Sequence, residues 1–169
     1  MRKHLIVGLT GASGSSYALT LINVLAAMDW QVELIMSSTG EKVLVYETGI
    51  ERAALPKSVQ IHENTNLFSA LASGSYRTHG MVVIPCSMNT LGLMATGTGE
   101  HLLARAAQVT LKERRPLVVV LREMPYNIIH LENMLRLARA GATIMPASPG
   151  FYHHPKEIQD LIKIGRAHV

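Results

Sequence analysis

The run TGASGSS at residues 10–16 and the run CSMNT at residues 86–90 each follow a short apolar stretch and lead into a helix-forming one. A strand–turn–helix junction of this kind gathers bare backbone N–H groups, hydroxyls and the positive end of a helix dipole at one point. Anions such as phosphate bind there. Gly11 and Gly14 permit close backbone approach, and Ser13, Ser15 and Ser16 offer hydroxyls or a helix cap. The ordinary alternative for residues 10–16 is a tight turn with a serine cap, since neither G-x-G-x-x-G nor the P-loop pattern is present. In residues 86–90, capping by Ser87 or Asn89 competes with a second cradle of hydroxyl and amide groups. Cys86 has no His beside it and reads as a small buried residue rather than a nucleophile.

The charged candidates sit elsewhere. Arg105 and Lys112 are seven residues apart in a helical stretch, so they share one stripe about 10 Å long. They are either a solvated basic face or two arms of a phosphate site, the guanidinium giving bidentate contacts and the ammonium a point charge. Arg122 and Glu123 directly follow an apolar strand and point to opposite faces, which suits two separate jobs better than one ion pair. Glu47 is a lone acid near an apolar helix end, where a plain surface carboxylate is the competing reading. His153 and His154 are adjacent and poorly disposed to hold one ion, so no metal site is expected.

Positioning these groups calls for alternating strands and helices. Apolar runs at residues 5–9, 31–36, 81–85, 117–121 and 143–145 read as strands, and residues 17–28, 41–48, 101–114, 128–140 and 157–162 as helices. Residues 49–65 read as irregular surface chain. The alternation implies an α/β fold, a parallel sheet covered on both faces, with ligands at the carboxyl ends of the strands. The 169 residues suit one domain, placed at residues 1–163. One cysteine excludes an internal disulfide framework, and no run reaches the length of a membrane span. A cytoplasmic location is therefore expected, with no membrane partner. The net charge of +4, with basic residues clustered at 112–115, favours a small anionic ligand over nucleic acid. Trp30 and the methionines read as core or interface filler.

Taken together these stretches resemble the UbiX/Pad1 family of flavin prenyltransferases. The carrying segments are GLTGASG (8–14), PCSMNT (85–90), RAAQVTLKERRP (105–116), Arg122-Glu123, IHLENM (129–134) and PGFYH (149–153). The resemblance implies a flavodoxin-like or Rossmann-like fold, usually a homododecamer. It implies transfer of a dimethylallyl group from dimethylallyl monophosphate to N5 and C6 of reduced FMN, without a metal. The prenylated FMN would serve a UbiD-type decarboxylase. By resemblance, Gly11, Ala12, Ser13, Ser37, Ser87, Met88, Asn89, Thr90 and Arg122 bind FMN. Arg105, Lys112 and Tyr152 bind the prenyl phosphate, and Glu123, Ser13 and Glu47 are the catalytic candidates.

Leu121 and Met124 depart from the family, which usually has proline and a small residue there. The resemblance also stops after Leu161, where the family continues a long helix with a phosphate-contacting arginine. Residues 164–169, IGRAHV, look like translated sequencing adapter and are expected to be a non-native tail; Arg166 is not given the arginine's role. Two competing readings remain. A cysteine decarboxylase of the related HFCD type would need a catalytic His near the first helix, but no His lies between His4 and His62. A non-catalytic flavin carrier would need neither Arg105, Lys112 nor Glu123.

Overall fold

The structure is a computed structural model, described for residues 3–163. Strands β1 (His4–Leu9), β2 (Gln31–Met36), β4 (Met81–Cys86) and β5 (Leu117–Leu121) are the apolar runs read from the sequence. With β3 (Val59–Glu63) and β6 (Thr143–Pro146) they form one six-stranded sheet in the order β3-β2-β1-β4-β5-β6, and every described pairing is parallel. The order reverses between β1 and β4, so the helices that follow these two strands diverge to opposite faces and leave a crevice at their carboxyl ends.

Side chains alternate across the sheet and feed two cores. Val7, Leu9, Leu34 and Met36 pack with α1 (Ser15–Ala27) and α2 (Ser38–Thr48) through Ile22, Leu25 and Leu44. Ile6, Ile35, Val83, Val119 and Leu121 pack with α3 (Met88–Thr96), α4 (Leu102–Lys112) and α5 (Ile128–Arg139) through Leu91, Met94, Leu103 and Leu137. The helices start where side chains cap them. Ser37 accepts the Gly40 N–H, Ser87 accepts the Thr90 N–H, and Asn127 forms a reciprocal capping box with His130. Gly49 and Gly97 close α2 and α3 in the left-handed conformation. A short α6 (Ile158–Lys163) ends the described chain, and the expected non-native tail at residues 164–169 lies outside it.

Residues 49–65 correct the sequence reading, because they contain β3. Its Val59 and Ile61 pack toward the α1–α2 core while Gln60 and His62 alternate to the other face. The strand is half polar because it is the sheet edge, which is why it does not read as a buried run. Helix α2 also begins earlier than expected, at Ser38, since Ser37 rather than a later residue caps it. Among the described residues no helix is long and apolar enough to cross a membrane.

Candidate functional site

Hydrogen bonds join the loops at the carboxyl end of the sheet into one row. Leu9 C=O accepts the Ser37 N–H at 3.0 Å, Cys86 C=O accepts the Arg122 N–H at 3.4 Å, and Leu121 C=O accepts the Ala147 N–H at 2.8 Å. Thr10, only 1% exposed, makes the central link: its hydroxyl donates to Pro85 C=O at 2.7 Å and accepts the Ser87 N–H at 2.8 Å. The loops after β2, β1, β4 and β5 therefore present Ser37, residues 10–14, residues 87–90 and Arg122 side by side. Close approach is built into this row. A Cβ on Gly40 would lie 2.6 Å from the Leu9 carbonyl oxygen, and one on Gly11 2.5 Å from Thr39 Cγ2. The small residues thus let α2 start directly against the end of β1.

The donors at the start of α1 already have an anion. Glu47, from the last turn of α2, accepts the Gly14 N–H at 3.0 Å and the Ser15 N–H at 2.8 Å. Burial works against its charged form, but the Ser13 hydroxyl and these two N–H groups outweigh it and hold the carboxyl below the usual range. The sequence reading left residues 10–16 open between a phosphate cradle and a capped turn, and the structure adds an acid to that loop. Two of its backbone donors face a carboxylate of the same chain. Orphan donors remain in the first turns of α2 and α3, as at any helix start, with the Ser37, Ser87 and Thr90 hydroxyls at their mouths. Ser87 donates to the Thr90 hydroxyl at 3.1 Å. Arg122 emerges exposed beside Cys86, next to the start of α3. Glu123 is half-buried and its carboxylate accepts the Met124 N–H at 3.0 Å.

The other candidates divide. Ala12 and Met88 are buried, and the Met88 side chain belongs to the core, which leaves its backbone as the group it can offer a ligand. Asn89 is exposed at the rim. Cys86 is fully buried and burial pushes its thiol far up, in keeping with a packing residue. Arg105 and Lys112 do share a stripe of α4, and both face the segment that holds the 3₁₀ turn Ala70–Ala72. Arg105 Nε donates to Ala72 C=O at 3.3 Å, and Lys112 pairs with Glu113 against Gly74. Helix α4 runs back toward the start of β5, so Lys112 sits at the end of the sheet away from the crevice. Arg105, in the first turn of α4, lies nearer the crevice end, where the Leu102 N–H meets Asn64 C=O just past β3, so the chain spreads the two cations along the height of the sheet. Tyr152 lies beyond the end of β6 and is 76% exposed, edge-on to His153.

The sequence reading missed a second polar centre. Glu33 on β2 is fully buried, yet its carboxylate meets His62 Nε2 at 2.7 Å, the Tyr76 hydroxyl at 2.7 Å and His4 Nδ1 at 3.2 Å. The available signal was an acid inside the apolar run QVELIM, because buried acids carry partners.

The Flavoprotein family profile matches residues 1–168. Flavin prenyltransferase UbiX of Deinococcus radiodurans is 46% identical over 167 residues, which is 98% of this chain and 86% of the relative. A solved structure of AnUbiX (PadA1) in complex with FMN and dimethylallyl pyrophosphate superposes with a TM-score of 0.95 at 38% identity, covering 99% of this chain and 90% of that one. A dodecameric FMN-dependent UbiX-like decarboxylase from Escherichia coli O157:H7 gives a TM-score of 0.91 at 41% identity, covering 94% and 88%. With the strand-end crevice in place and this likeness spanning nearly the whole chain, the protein belongs to the Flavoprotein family and, within it, to the UbiX flavin prenyltransferases.

Proposed function

We propose that residues 1–163 act as one flavoprotein domain that joins a dimethylallyl group from dimethylallyl monophosphate to reduced FMN. The observation that carries this is the row of hydrogen-bonded strand-end loops, in a chain matched almost throughout by a UbiX flavin prenyltransferase. The residues present fit FMN. The Gly11 and Gly40 approaches leave small, backbone-lined walls, and the first turns of α2 and α3, with the Ser37, Ser87 and Thr90 hydroxyls, offer neutral donors. Because Glu47 fills the α1 donors, the flavin phosphate is assigned to the α3 start, where Arg122 supplies a neighbouring cation. Gly11, Ala12, Ser13, Met88 and Asn89 then line the ring through backbone and rim contacts.

When bound, reduced FMN supplies the electron-rich N5 and C6 atoms that accept the prenyl carbon. The chain's own groups do the rest. Arg105, Lys112 and Tyr152 stabilise the negative charge that builds on phosphate as the allylic C–O bond breaks. Glu123 takes up the proton released in the second bond-forming step, and Glu47 holds the loop carrying Ser13 in place. Since Lys112 lies at the far end of its own sheet, the α4 stripe that carries it and Arg105 is assigned to a neighbouring copy's crevice. That requires a homo-oligomer, and we infer a homododecamer like the Escherichia coli relative. The exposed Ile128, Ile129, Leu131 and Leu135 of α5 supply apolar surface for such contacts. A UbiD-type decarboxylase is the proposed recipient of the prenylated FMN, and the cytoplasm the proposed location.

An HFCD-type cysteine decarboxylase is disfavoured because His62 is bound to buried Glu33 and no other His lies between it and His4. The test is anaerobic incubation of the purified chain with FMN, a reductant and dimethylallyl monophosphate, followed by mass analysis of the flavin. Gain of one prenyl unit supports the reading. Bound but unchanged flavin supports the non-catalytic carrier instead.

A further inference from the structure

The Glu33 cluster reaches both ends of one segment. His62 Nδ1 lies 3.1 Å from the Ser69 hydroxyl, which also accepts the Leu71 N–H at 3.3 Å. The Glu33 carboxylate only accepts, so His62 Nε2 carries the proton directed at it, and Nδ1 of the neutral ring accepts from the Ser69 hydroxyl. The Tyr76 hydroxyl donates to the other carboxylate oxygen of Glu33. Burial and this neighbouring carboxylate push the Tyr76 hydroxyl up to about 12, so it stays a donor. One buried carboxylate thus ties down the segment at Ser69, through His62, and at Tyr76 directly. Over this span the backbone faces α4 and the turn that follows it. Ala72 C=O takes Arg105 Nε at 3.3 Å, Gly74 C=O takes Arg115 Nη2 at 2.7 Å, and Tyr76 C=O takes Arg115 Nη1 at 2.8 Å. Gly74 has no side chain to stand between it and the Lys112–Glu113 pair, and a Cβ there would lie 3.1 Å from Lys112 Nζ, so the segment borders that ammonium.

We propose that Glu33, His62, Tyr76 and Ser69 are positioning residues for the prenyl-phosphate site, setting Arg105 and Lys112 through the segment 69–76. This rests on the reading above that Arg105 and Lys112 take the phosphate. None of the four touches the flavin crevice of its own chain. Their loss loosens the seat of two cations while leaving the strand-end loops intact. The effect falls on prenyl-phosphate affinity and spares flavin affinity.

The experiment uses the full purified chain and compares Tyr76→Phe and Ser69→Ala with the parent. Each removes one hydroxyl from one end of the clamp. If Tyr76→Phe folds poorly, Ser69→Ala, at a half-buried position with Glu33 untouched, carries the test. KM for dimethylallyl monophosphate, kcat, the FMN dissociation constant by fluorescence and calorimetric binding of dimethylallyl monophosphate are measured on each. The expected result is a rise of about three- to tenfold in KM and in the prenyl-phosphate dissociation constant, with kcat and FMN affinity within about twofold. A parallel loss of FMN affinity and thermal stability would overturn the inference, since it marks a purely structural network. Arg105→Gln and Lys112→Gln are run beside these variants. If they raise KM and the hydroxyl deletions do not, the positioning role fails and the phosphate role stands. If they leave KM unchanged, the phosphate role itself fails, and the inference with it.

Discussion

The Glu47 carboxylate sits on the backbone N–H of Ser15 at 2.8 Å, so the last turn of α2 caps the first turn of α1. This contact is both a helix cap and an anion at the positive end of a dipole.

Glu47→Gln removes the charge and keeps the shape. Stability at pH 7 should drop by about 1 kcal/mol, the usual worth of such a cap. The Glu47 carboxyl is held below its usual value, so its contribution is present above the unfolded pKa and disappears as pH falls through the folded one. The thermal midpoints of the two proteins should therefore converge as pH falls from about 4 downward. A constant gap from pH 7 to pH 3 would show that charge has no part in the cap.

Gly40→Ala tests the close approach of α2 to β1. The added methyl meets the Leu9 carbonyl oxygen, which belongs to the sheet and cannot swing aside. We expect a loss of about 1–3 kcal/mol by denaturant titration, with weakened FMN binding. Parent-like stability together with parent-like FMN affinity would mean that α2 can retreat from β1 at no cost.

Thr10→Val replaces the central hydroxyl of the row by a methyl of the same size. The Ser87 N–H is left without its partner and Pro85 C=O loses one of two donors. Orphaning a buried donor costs about 1–3 kcal/mol. FMN affinity should fall as well, because Ser87 caps α3. Unchanged denaturant midpoints would place the cohesion of the row elsewhere.

Arg105→Gln and Glu123→Gln should each abolish most prenyl transfer, for different reasons. If the two groups serve one reaction from different copies, oligomers reassembled from a mixture of the two variants regain activity. Assays of mixed and unmixed preparations decide it. No recovery after verified subunit exchange means that both groups act within one chain.

The sequence carried the sheet well where strands are buried on both faces. LIVGL, MVVIP and LVVVL admit no other reading once helices alternate with them. It failed at β3, because an edge strand bearing Gln60 and His62 has the composition of a loop. The crevice residues were legible as a set, since whatever follows each parallel strand must meet at one end. Their division of labour was not. Nothing local says that Glu47 reaches back to Ser15, 32 residues earlier. Glu33 lies 29 residues from His62 and 43 from Tyr76, so their meeting is a product of the fold. For Arg105 and Lys112, helical spacing gave the shared stripe and not the end of the sheet it occupies. That depends on the direction in which α4 returns to β5.

An enzyme whose product is the flavin itself empties its crevice at every turnover. In that interval the backbone N–H groups at the start of α1 would face only water were it not for an acid of the same chain. Glu47 supplies that acid from within the chain and pins the loop to the end of α2 with no ligand present. The next flavin meets a preformed surface, and the departing product takes no structural counter-ion with it.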